Sequence, residues 1–175
     1  MPNLEIELDA VDFITVGTIG PKGKREFHIQ AGQGNRIVTL KIEKEQARQL
    51  ATAIEEILEE VSRLTNDPTL KPIVNLNQYD MSLRDPVEPM FRVERMGLGY
   101  DEERDRIILV AQEWIQRTDD QELEDILENL GIRPSVARFW GTREQYKALS
   151  EHTLRVVEQG RADPRENGYL IYYWT

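Results

Sequence analysis

Two strand-like arms joined by an acidic turn occupy Met90 to Glu113, and they restrict the fold more than any other stretch of the chain. On the first arm Phe91 and Val93 share one parity, whereas Met96, Leu98 and Tyr100 take the other. Side chains alternate across a strand with a period of two, so a β-bulge near Glu94-Arg95 is needed to return all five to one face. Asp101-Glu-Glu-Arg-Asp105 forms the tip. The second arm, Arg106 to Glu113, is nearly continuous apolar, the pattern of a strand covered on both sides.

Upstream, Asp12 to Ile19 reads as a first strand, and Gly20-Pro-Lys-Gly23 as a turn. Arg25 to Ala31 alternates, with Phe27, Ile29 and Ala31 on one face and Glu26, His28 and Gln30 on the other. After the turn Gly32-Gln-Gly-Asn35 comes a third strand, Arg36 to Ile42, with Val38, Leu40 and Ile42 inward. Lys44 to Leu64 carries Ala47, Leu50, Ile54, Ile57, Leu58, Val61 and Leu64 at helical spacing, with no Gly or Pro inside. Asn66-Asp67-Pro68 stops that helix, and a linker follows whose length implies packing over the surface. Beyond the hairpin, Thr118-Asp-Asp-Gln121 reads as a capping box for a short helix bearing Leu123, Ile126, Leu127 and Leu130. Val136 to Trp140 is a short strand, and Thr142-x-x-Gln145 caps a last helix with Tyr146, Leu149, Thr153, Val156 and Val157 inward. Asn167-Gly168 makes a turn before a possible edge strand, Tyr169 to Trp174.

The expected class is therefore α+β: a mainly antiparallel sheet built from two three-strand-plus-helix halves, with the helices packed on the sheet. The whole chain, 1–175, reads as one domain, with pseudo-halves 11–64 and 90–160, a linker 65–89 and a tail 161–175. Tandem strand-strand-strand-helix units also occur in Whirly- and Pur-type binders of single-stranded nucleic acid, an analogy at the level of fold alone.

Composition excludes several classes. The net charge is −10, and Glu94 to Glu128 holds twelve Asp/Glu against four Arg. A field of that sign disfavours nonspecific contact with phosphate backbones and with anionic membranes. Lys22, Lys24 and Arg25 form the one candidate basic patch. With no cysteine there is no disulfide, thiolate metal site or thiol nucleophile. The opening Met-Pro-Asn-Leu-Glu-Ile-Glu lacks the basic start and apolar run of a signal peptide, and no apolar stretch approaches the ~18 residues of a membrane helix. A soluble cytoplasmic protein is expected.

Several segments, in order along the chain, resemble the bacterial family known as DUF3090, a domain of unknown function. They are Phe27-x-Ile-Gln30 after a Gly-Pro-x-Gly turn, Leu40-x-Ile-Glu-Lys-Glu-Gln46, and Pro86-Val-Glu-x-x-Phe-Arg-Val93. Met96-Gly-Leu-Gly-Tyr-Asp101, Ala111-Gln112 and Pro164-Arg-Glu-Asn-Gly-Tyr169 complete the set. The resemblance implies a C-terminal pair of cysteine knuckles resembling a small zinc ribbon, but Arg161-Ala-Asp-Pro164 stands in that place here, so the metal site does not carry over. Val110 occupies a position that is Glu in many relatives. The family brings no activity with it.

No motif names a reaction. Gly17-Thr-Ile-Gly-Pro-Lys-Gly-Lys24 is one residue too long for a phosphate loop, has Arg25 where Ser/Thr is required, and precedes a strand. Gly32-x-Gly34 fails the dinucleotide pattern for the same reason. The hairpin tip lacks the Gly and distal Glu of an EF-hand. His28 and His152 have no ligand partner at metal-binding spacing. Two groupings remain. Arg92, Asp101, Gln112, Arg165 and Asn167 are the polar residues of the family-like motifs and would grip a carboxylate or phosphate if the fold joined them. Glu102, Glu103, Asp105, Glu55 and Glu59 form an acidic hairpin-and-helix surface suited to a protein partner or to self-association. The leading expectation is a non-enzymatic acidic protein-interaction module with no cofactor and no metal. The alternatives are an enzyme or sensor for a small phosphorylated or carboxylated ligand, and a single-stranded nucleic-acid binder using Lys22, Lys24 and Arg25.

Overall fold

The computed structural model describes residues 3–21, 23–65, 73–115 and 120–159. Strand β1 (Glu5–Asp9) leads into β2 (Phe13–Ile19), β3 (Glu26–Gln33), β4 (Arg36–Ile42) and helix α1 (Lys44–Leu64). After a connecting segment come β5 (Phe91–Asp101), β6 (Arg106–Glu113), helix α2 (Gln121–Asn129), β7 (Val136–Gly141) and helix α3 (Arg143–Gln159). The fold is α+β, with a seven-stranded sheet in the order β1-β7-β6-β5-β4-β3-β2.

The sheet is mixed. β2–β3, β3–β4, β5–β6 and β6–β7 pair antiparallel, whereas β1 with β7 and β4 with β5 pair parallel. The expectation of a mainly antiparallel sheet needs that amendment, because a parallel pair requires a long crossover whose partner no local pattern announces. Strand β1 also adds to the reading: Ile6 and Leu8 are buried and Glu5, Glu7 and Asp9 face out, ahead of the segment where the first strand was expected. The bulge lies where the parity demanded it, with the β5–β6 register shifting between Val93 and Arg95.

β1 and β2 stand at opposite ends of the strand order yet are separated by only three residues. Within that junction Val11 N–H donates to Trp140 O (2.8 Å) on β7, and Asp12 N–H donates to Gly32 O (2.7 Å) on β3. The Gln33 side chain clamps the same corner through both Asp9 N–H (3.1 Å) and Asp9 O (2.9 Å). The sheet is thereby rolled until its two ends meet at one corner.

Its concave side holds the core. Leu8, Val16, Ile29, Leu40, Ile107, Leu109 and Phe139 point inward from the strands, joined by Leu50, Ile54, Tyr146 and Leu149 from α1 and α3. The helices cross over: α1 packs on α3 and β5, and α3 packs on β2. Glu55 of α1 fastens them by accepting from Lys147 Nζ (2.8 and 2.9 Å) and from Ser150 Oγ (2.6 Å) of α3.

β2-β3-β4-α1 and β5-β6-β7-α3 follow one plan. Leu40 and Phe139 each lie three residues before a helix cap and pair in parallel with Phe91 and Leu8. Behind each cap a glutamine accepts from the cap backbone, Gln46 from Glu43 N–H (2.8 Å) and Gln145 from Thr142 N–H (2.8 Å). Gln46 then donates to Val93 O (3.0 Å), and Gln145 to Val11 O (3.0 Å). The plans differ between their second and third strands: β3 and β4 are joined by the short turn at Gly34-Asn35, whereas β6 and β7 are separated by the segment containing α2.

Candidate functional site

The polar grouping read from sequence is not gathered into one place among the described residues. Arg92 and Asp101 lie at opposite ends of β5, about 30 Å apart at the usual rise of a strand. Arg92 pairs with Glu43 (3.3 Å) at the cap of α1 and stacks over Trp114, 5.3 Å from the ring centre. Gln112 accepts from Arg95 Nε (3.0 Å) instead. Asp101 receives the N–H groups of Glu103 (3.0 Å) and Arg104 (3.3 Å) and so shapes the hairpin tip. Arg165 and Asn167 lie outside the described residues, as do Lys22, Thr118 and the segment 169–174.

The acidic grouping divides in the same way. Glu102, Glu103 and Glu59 are exposed, but Glu55 is committed to the α1–α3 contact and Asp105 to a small network. Asp105 accepts from Arg143 Nε (2.8 Å) and Nη2 (3.0 Å) and from the Tyr100 hydroxyl (2.7 Å). Hydrogen bonding from Arg143 holds its carboxyl below the usual range, while burial and the carboxylate raise the Tyr100 phenol to about 12. Nothing in the local sequence links Asp105 to Arg143, which follows β7.

The outward face of the sheet is more informative. In the first half its rows are Phe13–Gly32–Ile37, Thr15–Gln30–Thr39 and Gly17–His28–Lys41. The linker lies over them. Arg84 stacks on Phe13 at 3.7 Å, Thr15 Oγ1 donates to Met81 O (2.7 Å), and Leu83 packs against Gly17. Gln30 is fully buried, donating to Arg84 O (2.9 Å) and Thr39 Oγ1 (3.0 Å) and accepting from Arg84 N–H (2.7 Å). The face bearing His28 and Gln30 is thus polar but covered, with its amide and hydroxyl groups spent on the linker backbone.

By register, the matching rows of the second half are Arg95–Gln112–Val136, Gly97–Val110–Arg138 and Gly99–Ile108–Trp140. None of these residues is buried. Among the described residues a Cβ placed on Gly97 would meet no atom within 4 Å, whereas one on Gly17 would meet Leu83 Cγ at 2.6 Å. The apolar run of β6 led to the expectation of a strand covered on both sides, and among the described residues it is covered on one. On this outward face Arg92, Arg95, Arg106 and Arg138 of β5 to β7 are balanced by Asp101 and by Glu5, Glu7 and Asp9 of the neighbouring β1, with Glu7 opposite Arg138 and accepting from Trp140 Nε1 (2.8 Å).

Helix α2 is the second unusual feature. Asp120, rather than Thr118, caps it, accepting from Glu122 N–H (3.0 Å) and Leu123 N–H (3.3 Å). It has no buried residue. Leu123, Ile126 and Leu130 are 42%, 48% and 69% exposed although they share one helical face with Leu127. Glu122 and Glu124 border that stripe, and Asp120, Asp125 and Glu128 add to an acidic run with no cation before Arg133.

A third feature is a concave corner of about 440 Å³ lined by Lys24, Arg25, Lys41 and Lys44 over Phe27, with Glu26 and Glu43 between the cations. The β2–β3 turn beside it opens into a strand, so no helix N-terminus faces it from a glycine loop.

A family model with the description Protein of unknown function (DUF3090) matches residues 6–165. The chain belongs to the DUF3090 family. No curated protein and no solved structure matches it.

The family-like motifs of this DUF3090 chain are architectural in the described residues. Gln30 pins the linker, Gln46 pins β5, and Gln112 braces Arg95. No group of three or more metal-ligating side chains occurs among the described residues. Burial lowers the pKa of both histidines; His152 donates from Nε2 to Val16 O (2.9 Å), and His28 Nδ1 is buried without a hydrogen-bond partner among the described residues. The Glu26 carboxylate and the Lys41 ammonium lie near His28, the first raising and the second lowering its pKa against the larger effect of burial. No helix among the described residues is long and apolar enough to cross a membrane.

Proposed function

We propose that this DUF3090 chain is a non-enzymatic interaction module, acting in the cytoplasm, whose recognition element is helix α2. One observation carries the reading: an amphipathic helix with a complete apolar stripe has no fully buried residue and leaves Leu123, Ile126 and Leu130 42%, 48% and 69% exposed. With Leu123, Ile126 and Leu130 about half in water, each forgoes roughly half of the ~1.5–3 kcal/mol that full burial supplies, a cost that a docked partner recovers. The helix is inserted between β6 and β7 where the first half has only a short turn, so the core does not need it. Its five acids select a partner whose apolar groove is rimmed by Lys or Arg.

The test is the triple variant Leu123→Ser/Ile126→Ser/Leu130→Ser, with a photo-crosslinking residue placed at Ile126 of the parent chain in cells. The triple variant is expected to unfold in urea within about 0.5 kcal/mol of the parent, as exposed positions do. The crosslinker is expected to give one discrete adduct that Glu122→Lys/Glu124→Lys removes. A loss of several kcal/mol would make α2 part of the chain's own core, and an absence of adduct would leave it without a partner; either outcome rejects the reading.

A second reading, a sensor for a small phosphorylated or carboxylated ligand, draws support from the corner of Lys24, Arg25, Lys41 and Lys44. It predicts that phosphate or a nucleotide raises the melting temperature and that Lys41→Ala/Lys44→Ala abolishes the shift.

A further inference from the structure

The corner between hairpin tip and helix start occurs once in each half, and we infer that the first-half corner binds a small organic acid with two or more carboxylates. The inference rests on the second reading above, an anion sensor at Lys24, Arg25, Lys41 and Lys44, and names its ligand class. The strand registers set the two corners side by side. Thr18 lies opposite Phe27 and Phe27 opposite Ile42, as Tyr100 lies opposite Ile107 and Ile107 opposite Gly141. Arg25 therefore stands where Asp105 does, Lys24 where Arg104 does, and Lys44 opens α1 as Arg143 opens α3. In the parallel pairs Lys41 meets Arg92 as Trp140 meets Asp9.

The chain's own acids close the second corner. Asp105 accepts from Arg143 Nε (2.8 Å) and Nη2 (3.0 Å) and from the Tyr100 hydroxyl (2.7 Å), and Asp9 pairs with Arg104. The first corner lacks both carboxylates: Arg25 takes the place of Asp105 and Arg92 that of Asp9, while the cation at the helix start is kept. Two acids stand on its rim, but Arg92 holds Glu43 (3.3 Å) and Glu26 lies 3.6 Å from Lys41. Lys24, Arg25 and Lys44 have no ion pair or side-chain hydrogen bond among the described residues. Arg25 and Lys44 are half-buried on one cavity of about 440 Å³ above the buried Phe27. Like charges held there without an anion are unfavourable, and a bound carboxylate relieves them. One carboxylate between Arg25 and Lys44 repeats the contact of Asp105 with Arg143, and the Arg25 guanidinium grips it bidentately. Lys24 and Lys41 then meet a second, as Arg104 meets Asp9.

Isothermal titration calorimetry of the full chain with citrate, acetate and inorganic phosphate, at constant ionic strength, tests this. Such anions also stabilise proteins by exclusion from the surface, so the heat of binding is read rather than the melting temperature. Citrate is expected to bind at least tenfold more tightly than acetate or phosphate. Arg25→Gln/Lys44→Gln is expected to weaken citrate at least tenfold, while Arg36→Gln, at the other end of β4, leaves it unchanged. Circular dichroism verifies folding, and Lys24→Gln at an exposed position gives a smaller loss should the double variant fail to fold. Phosphate that binds as tightly as citrate overturns the polycarboxylate assignment alone and leaves the anion-sensor reading. No binding by any of the three overturns both. Citrate affinity that survives in the folded Arg25→Gln/Lys44→Gln variant, or in Lys24→Gln where that one does not fold, places the anion elsewhere and overturns the inference.

Discussion

Gln46 and Gln145 do the same work in two copies of one plan. Each accepts a hydrogen bond from the backbone at its helix cap and donates one to the strand beside it, Gln46 to Val93 O and Gln145 to Val11 O, both at 3.0 Å. Each amide therefore ties the start of a helix to the place where a strand leaves its parallel partner. Without these amides both carbonyls would lose a side-chain donor.

Gln46→Ala and Gln145→Ala are each expected to cost about 1–3 kcal/mol, the penalty of a lost cap together with an unsatisfied carbonyl. The sites are far apart and share no partner, so the double variant should equal the sum within about 0.5 kcal/mol. Urea denaturation measures all three. A neutral Gln145→Ala beside a costly Gln46→Ala would show that the shared geometry is not shared energetics.

Gly17 and Gly99 occupy the same row of the two faces, and Gly97 lies one row away on the open one. Gly17→Ala drives its methyl into Leu83 and is expected to cost about 1–3 kcal/mol by overpacking, while Gly97→Ala stays within about 0.5 kcal/mol. Adding Leu83→Ala to Gly17→Ala is expected to return part of the loss. Equal costs at Gly17 and Gly97 in urea would mean that the linker does not rest on the first face.

Acid should loosen the fold in two stages. Burial lowers the pKa of His28 and His152 below 6.5, so between the folded and unfolded values the unfolded chain binds more protons. Their contribution is complete above about 6.5 and is lost as the pH falls through the folded values. Asp105, held below 3.8 chiefly by Arg143, adds a second loss at lower pH. His152→Gln keeps an N–H donor for Val16 O but cannot titrate, and is expected to flatten part of the first stage. Melting temperatures at about pH 7.5 and pH 5.5 decide it: a parent with the same value at both contradicts the assignment.

Local periodicity carried much of this fold. The stripe of α1 delimits Lys44–Leu64, the parity change along Phe91–Tyr100 locates the bulge, and Thr142-x-x-Gln145 marks the start of α3. Each is a relation between residues a few positions apart. What escaped depends on distant partners: β1 is a short alternating segment that becomes a strand by lying beside β7, and the burial of His28 and Gln30 follows from a linker some fifty residues away. Arg92, Asp101 and Gln112 share motifs but not neighbours, since one strand separates the first two and the β5–β6 register assigns Gln112 to Arg95. The stripe of α2 is visible as a pattern, yet pattern alone does not say that nothing in the chain covers it.

The corner at Val11 and Asp12 also constrains how the molecule is made. Among the described residues its leading strand finds its ladder on residues 136–140, so a nascent chain carries Glu5–Asp9 unpaired until that distant segment has been synthesised. Such widely separated pairing slows folding, because a long loop must close before any contact repays it. The roll is accordingly sealed late, and its weakest moment is the interval before Glu5–Asp9 meets Val136–Trp140.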